Sequence, residues 1–364
     1  MRTTGPSSRS RSTSTRTLPA GRSEDAVTRA AGRPVSRADG ARPVRLRGRC
    51  LAVSARPRLV AIVGPTATGK SALGIALAER FAGEIVSCDS TAVYRGFDIG
   101  TDKVPPPEQR GIPHHMIDVV DPTEEYSAAR YAREASMVIR EITRRARLPI
   151  LVGGTGFYYR ALTRGLFDGP GRDEALRRRL EQVAQKRGQE CLHRWLAAVD
   201  PASAARIQVR DVKRLVRALE VWLVTGRPLT DHFAETASPL PEYDVVSIAL
   251  RIPREETAER VARRVDAQFD QGLLDEMRAI LARGVPETAL PFTGLVYKQA
   301  LEHLHGIRGE RETRELIVRE NRRYARRQLI WFRKEPNLRW IHAAGELTDT
   351  QSEVARLLVT AFQR

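Results

Sequence analysis

Eight residues, Gly64-Pro65-Thr66-Ala67-Thr68-Gly69-Lys70-Ser71, fit the pattern G-x-x-x-x-G-K-[ST] without a mismatch. In such a loop the backbone N–H groups and the following helix N-terminus point at one small volume and make an anion site. Lys70 adds a mobile positive charge, and the Ser71 hydroxyl can hold Mg²⁺. The pattern names a phosphate ligand without saying whether it is a nucleoside triphosphate. A glycine turn that merely joins strand to helix is the bland alternative. Further along comes Asp89-Ser90-Thr91-Ala92-Val93-Tyr94. A carboxylate beside a phosphate loop can ligate Mg²⁺, or accept a proton from a nucleophile held over the phosphate. Aspartate is also a common turn or cap residue. Gly153-Gly154-Thr155-Gly156 would suit a nucleotide-binding loop, although glycine doublets also simply end strands. His114 and His115 would point to opposite faces of a strand, so no metal site is expected from them.

The elements around these residues place them together. Leu59–Val63 reads as a buried strand and Ala72–Glu79 as a helix, the flanks a phosphate loop requires. Glu84–Ser90 and Leu148–Val152 read as further strands, with helical periodicity over 127–147. Strand–helix alternation predicts an α/β fold, a parallel sheet with helices on both faces. Its functional loops lie at the carboxyl ends of the strands, where the phosphate loop, Asp89 and Thr155 all fall. From 172 to 240 the pattern becomes helix after helix, and Val245–Leu250 then returns as a strand. The reading is a P-loop core over 57–171 and 241–345, the second part ending in helices. An all-helical insertion over 172–240 interrupts it, and a terminal helix or tail occupies 346–364.

The 364 residues are enough for a full core and a smaller second domain. No apolar run approaches the ~18–20 residues of a membrane span. Cys50, Cys88 and Cys191 form no C-x-x-C pair, which fits a reducing cytoplasm rather than a disulfide framework. Of the net charge of +17, residues 1–58 hold +11, with 14 arginines, no lysine and 3 acids. Residues 1–56 lack apolar periodicity and are expected to be disordered. A start codon set too far upstream, a nonspecific RNA-binding arm and a transit peptide all fit that composition.

Two helices invite RNA. Asp211–Glu220 has a basic face, and Arg322–Arg333 interleaves arginines with Tyr324, Trp331 and Phe332. Arginines neutralise phosphates and rings stack on splayed bases. For the second helix alone, a solvated face over buried Trp331 and Phe332 is the simpler reading.

Together these segments resemble the tRNA dimethylallyltransferase (tRNA isopentenyltransferase) family, bacterial type. The likeness rests on Gly64–Ser71, Asp89-Ser90 with Tyr94, Asp98-Ile99-Gly100-Thr101, Pro113-His114-His115, Asp121-Pro122 and Tyr126-Ser127. It continues through Leu151–Thr155 with Tyr158, Arg214–Val221, Tyr297-Lys298 and Arg326–Arg333, in family order across 57–335. The resemblance implies transfer of a dimethylallyl group from its diphosphate to N6 of the adenosine 3′ of the anticodon, with Mg²⁺. Gly64–Ser71 with Arg264 would then hold the diphosphate, and Asp89, Lys70 and Thr66 would do the chemistry. The implied tRNA contacts are Asp89, Ser90, Thr91, Ala92, Thr155, Lys213, Arg214, Leu215, Val216, Arg217 and the run Thr293-Gly294-Leu295-Val296-Tyr297-Lys298. Arg260 is a further candidate for diphosphate or RNA. The resemblance also implies a cytoplasmic monomer whose partners are tRNA and dimethylallyl diphosphate, with no membrane partner.

The sequence departs from the family pattern at Val296, where glycine is usual, and at Arg210, where asparagine is common. The N-terminal extension is not a family feature, and the C-terminal zinc-finger cysteines of many eukaryotic members are missing. A prenyltransferase for free adenine nucleotides, a P-loop small-molecule kinase and a noncatalytic RNA-binding protein are the competing readings. The helical insertion argues against the first, and the Lys70/Ser71/Asp89 group against the last.

Overall fold

A computed structural model describes residues 56–167 and 169–363. The expectation of disorder over 1–56 therefore falls, apart from Arg56, outside the described residues. The first half of the fold runs β1 (Arg58–Val63), α1 (Lys70–Phe81), β2 (Gly83–Ser87), β3 (His114–His115), α2 (Ala128–Arg144), β4 (Leu148–Gly153) and α3 (Gly156–Arg164). Five helices follow: α4 (Glu174–Arg187), α5 (Gln189–Val199), α6 (Pro201–Arg206), α7 (Val212–Thr225) and α8 (Leu229–Ala234). The chain returns through β5 (Asp244–Leu250), α9 (Arg254–Asp270), α10 (Leu273–Ala282), α11 (Tyr297–Leu304), α12 (Glu310–Phe332), β6 (Leu338–Ile341) and α13 (Thr348–Phe362).

All six strands are parallel, in the order β3-β2-β4-β1-β5-β6. β1 lies at the centre and is buried on both sides. Leu59, Ala61 and Val63 join one apolar cluster, and Val60 and Ile62 the other. The two-residue period of a strand sends alternate side chains to opposite faces, so a central parallel strand must be apolar throughout. The first cluster includes side chains of α2, α3 and α9–α12, the second those of α1 and α13. The β-strand over 338–341 was not legible in the sequence. It has only four residues, and its exposed Arg339 interrupts the apolar run.

Helices α4–α8 pack around a separate cluster containing Leu180, Leu192, Leu196, Leu215 and Leu219. Glu220 is buried among them with its side chain fully enclosed. It accepts two hydrogen bonds from Arg177 at 2.8 Å, one from Arg217 at 2.6 Å and one from the Asp173 N–H at 2.8 Å. Burial alone would raise its pKa, but Arg177, Arg217 and the Asp173 amide outweigh it and bring the group from 4.5 to about 2. Among the described residues no helix is long and apolar enough to cross a membrane.

Because the folded pKa of Glu220 is depressed, its stabilisation is complete above the unfolded value and is lost as pH falls from 4.5 through about 2. Replacing it with alanine strands two arginines in a poorly hydrated site. Glu220→Ala is expected to cost about 3–5 kcal/mol in urea unfolding at neutral pH. A loss under about 1 kcal/mol would mean that the cluster does not depend on this pair.

Candidate active site

The phosphate loop leaves β1 and enters α1 at Lys70. Its path needs left-handed backbone at Gly64 (φ 133°), Ala67 (φ 64°) and Gly69 (φ 79°), which glycine supplies without strain at two of the three positions. The Thr68 hydroxyl is buried and donates to the Pro65 carbonyl at 2.9 Å; the Lys70 ammonium donates to the same oxygen at 2.5 Å. Thr66, Ala67, Gly69, Lys70 and Ser71 line a cavity of about 240 Å³. Asp89 and Arg264 line the same cavity, as do Gly153 and Gly154 at the end of β4, whereas Thr155, expected there from the sequence, is not part of the lining.

Asp89 follows β2 and closes a turn. Its Oδ1 accepts from the Thr91 N–H at 2.8 Å, the Thr91 hydroxyl at 2.6 Å and the Ala92 N–H at 3.4 Å. The turn thus uses only one of the two carboxylate oxygens. Oδ2 makes no hydrogen bond within the described residues, while the residue faces the cavity. Thr155 follows β4; its Oγ1 accepts from the Ser90 N–H at 3.0 Å and donates to Ser90 Oγ at 3.3 Å. The glycines beside Thr155 have a packing reason to be small, and Gly153 and Gly154 also line the cavity. A Cβ at Gly154 would collide with Gln328, and one at Gly156 with Trp331. They are small because α12 crosses there.

Arg264, on α9, donates to Thr66 Oγ1 at 2.6 Å and to Asp102 Oδ2 at 2.9 Å. Gln268 donates to Asp102 Oδ1 at 2.9 Å. Lys70 and Arg264 are therefore neighbouring cations with carboxylates on either side. Desolvation, then Arg264, pulls the Lys70 pKa from 10.5 down to about 7, against the opposing pull of Asp89 and Asp102. Arg260 is elsewhere engaged, pairing with Glu256 at 2.8 Å and with Glu346, and does not line the cavity. For metal, the hard oxygen donors lining the cavity include the Ser71 hydroxyl and Asp89 Oδ2, with Asp102 already engaged by Arg264 and Gln268. That set suits an ion that keeps waters and is completed by substrate phosphates, as Mg²⁺ does. Among the described residues no cluster of three or more His, Cys, Asp or Glu could hold an ion without such help.

Other expected contacts lie away from the cavity. Lys213 and Arg214 are exposed at the start of α7, with Arg214 also paired to Asp211 at 3.1 Å. Leu215 and Val216 belong to the helical core, which corrects their assignment as RNA contacts: their side chains face α4 and α5 neighbours, not solvent. Arg217 is tied to Glu220 and, at 3.0 Å, to the Pro170 carbonyl. Ala92 is buried too, but its place is in the wall of the cavity beside Asp89. Gly294 approaches Thr91, so the 293–298 segment abuts the Asp89 loop, with Thr293 and Lys298 exposed and Leu295 half-buried.

Tyr297 also needs correction. It is buried, donating to Glu276 Oε1 at 2.6 Å and accepting from the Gly100 N–H at 2.9 Å. A Cβ on Gly100 would run into the Tyr297 ring, 2.5 Å from its Cζ. Tyr297 therefore fixes the Asp98–Thr101 loop and has no side-chain surface for RNA. Val296 sits at φ 73°, a conformation that is costly for a β-branched residue. That accounts physically for the glycine expected there, and the buried Val296 side chain again leaves nothing for RNA. Asp102, Gln268 and Gln328 were not singled out from the sequence, because no spacing rule marks a residue whose role depends on which helix crosses a loop.

The parallel sheet, phosphate loop and facing carboxylate define a P-loop group-transfer protein. Residues 92–335 match the family model for IPP transferase. The chain is 49% identical over 307 residues to a tRNA dimethylallyltransferase of Solibacter usitatus, covering 82% of this chain and 99% of the relative. It is 45% identical over 300 residues to one of Geobacter metallireducens, covering 82% and 97%. Among solved structures, the tRNA isopentenylpyrophosphate transferase of Bacillus halodurans aligns with a TM-score of 0.63 at 38% identity, covering 84% of this chain and 96% of that one. A eukaryotic dimethylallyltransferase described as acting on tRNA aligns with a TM-score of 0.70 at 27% identity, covering 84% and 79%. The chain belongs to the IPP transferase family.

A lysine titrating at about 7 must take up a proton when an anion arrives above that pH. Pyrophosphate binding at pH 8, measured calorimetrically in buffers of differing ionisation enthalpy, is expected to show uptake approaching one proton. Lys70→Met should remove it. Equal heats in all buffers for the unsubstituted protein would contradict a depressed Lys70.

Proposed function

We propose that this chain transfers a dimethylallyl group from dimethylallyl diphosphate to N6 of the adenosine 3′-adjacent to the anticodon of tRNA, releasing diphosphate. The observation that carries the reading is the single cavity lined by the phosphate loop and by a carboxylate with one oxygen unclaimed by its turn. A kinase needs the loop for the phosphoryl group it transfers; here the loop holds the leaving group. The names of the relatives, each a tRNA dimethylallyltransferase, favour tRNA over a free nucleotide as acceptor.

In the reaction the N6 lone pair attacks C1 of the dimethylallyl group. The C1–O bond breaks, its electron pair leaves with diphosphate, and the N6 proton passes to Asp89. Lys70, Arg264 and the loop N–H groups meet the negative charge that grows on the leaving oxygen. Thr66 keeps Arg264 aimed at the loop through its hydroxyl. Mg²⁺, held by Ser71 and the diphosphate, would neutralise part of the same charge. Thr155 and Ser90 brace the Asp89 loop against which the adenine sits. The adenine must leave its stack for N6 to reach a half-buried carboxylate at the cavity wall, so base flipping is expected. The helical block of α4–α8, with Lys213 and Arg214 exposed, would grip the anticodon stem-loop.

Purified protein with dimethylallyl diphosphate and Mg²⁺ should prenylate unmodified tRNA and not AMP. Prenylation of AMP alone, or phosphoryl transfer from ATP without prenyl transfer, would defeat this reading. Asp89→Ala is expected to lower kcat by about 10²–10⁴-fold while tRNA affinity stays near normal. A binding loss as large as the rate loss would count against Asp89 as the base.

A further inference from the structure

Two loops have to be held at a fixed separation for this chemistry. The phosphate loop carries the leaving group, and the Asp89 loop carries the base. Parallel strands register the sheet, yet both loops extend past the strand ends, and among the described residues no backbone hydrogen bond joins one loop directly to the other. Gln328, on α12 and 6% exposed, lies in the gap. Its Oε1 accepts from the Thr66 N–H at 2.8 Å, and its Nε2 donates to the Gly154 carbonyl at 2.9 Å. From Gly154 the linkage continues through Thr155, whose N–H donates to Cys88 O at 3.1 Å and whose Oγ1 accepts from Ser90 N–H at 3.0 Å. Ser90 is the residue after Asp89.

Among the described residues, Gln328 is the only side chain hydrogen-bonded to both the 64–71 loop and the 153–156 loop. Its carboxamide cannot turn over, because a flip would set its oxygen against a carbonyl and its NH₂ against an N–H. Thr66 is thereby clamped at two points, its N–H by α12 and its hydroxyl by Arg264 of α9. The close approach of the carboxamide leaves no room for a Cβ at Gly154.

We propose that Gln328 is a positioning residue that sets the distance between the diphosphate loop and the Asp89 loop. The proposal rests on the dimethylallyl-transfer reading above. Gln328 also borders the cavity, but both polar atoms of its carboxamide are already spent on the two loops rather than offered to a substrate. What the side chain supplies is alignment of N6, C1 and the leaving oxygen, to which rate is far more sensitive than binding.

The test is Gln328→Met, which fills the same space but pairs with neither loop, beside Gln328→Glu, which keeps the acceptor and loses the donor. Both are expected to lower kcat for tRNA prenylation by about 10²-fold, with pyrophosphate affinity, tRNA affinity and KM for dimethylallyl diphosphate within about threefold of the parent. The misaligned site should also release more diphosphate without transfer, a partition that a merely structural residue would not move. Unchanged kcat in Gln328→Met, or affinities falling in step with kcat in both variants, would overturn the proposal. If Gln328→Met does not fold, Gln328→Glu decides by the same split. A parent protein that prenylates no tRNA would instead overturn the functional reading itself.

Discussion

An anion-binding loop must keep its backbone N–H groups facing open space, so it has to be secured by its other surfaces. That constraint organises much of this molecule. The loop here is held by what surrounds it: Gly64 packs against Leu250 of β5, the Gly345 N–H donates to the Thr68 carbonyl at 2.9 Å, and Thr66 is gripped by α9 and α12. Four segments widely separated in sequence therefore converge on eight residues. The helices after β5 follow from the same need, since α9 brings Arg264 and α12 brings Gln328 to the loop.

Electrostatics completes the arrangement. Burial of Lys70, and after it the repulsion from neighbouring Arg264, depress the Lys70 pKa. Asp102 offsets the repulsion by holding Arg264, and Asp89 adds a second negative charge. On the proposed reading, a diphosphate entering this field would meet groups already oriented, and the charge developing as the C1–O bond breaks would fall where the positive charge is fixed.

Much of this was legible in the sequence. The apolar run of β1, the loop pattern and the position of Asp89 are local signals, set by strand sterics and backbone geometry within a few residues. The helical character of 174–234 was equally plain from periodicity. Long-range contacts were not legible. Leu215 and Val216 lie beside basic residues in sequence, but helical phase turns them inward. Tyr297 looks like a surface aromatic until Glu276 and Gly100 enclose it. Gln328 is one polar residue in an arginine-rich helix, and only the crossing of that helix over two loops gives it work. Val296 shows the reverse: its positive φ is a conformation that glycine would adopt without strain.

On the proposed reading, one cavity breaks a carbon–oxygen bond and forms a carbon–nitrogen bond in the same step. A rapid-quench single turnover with isotope-labelled dimethylallyl diphosphate and excess enzyme on unmodified tRNA tests it most directly. The account requires diphosphate and N6-labelled adenosine to form at the same rate and in equal amounts, with the label next to the anticodon. Diphosphate released ahead of the labelled nucleoside, or label carried elsewhere on the tRNA, would contradict it.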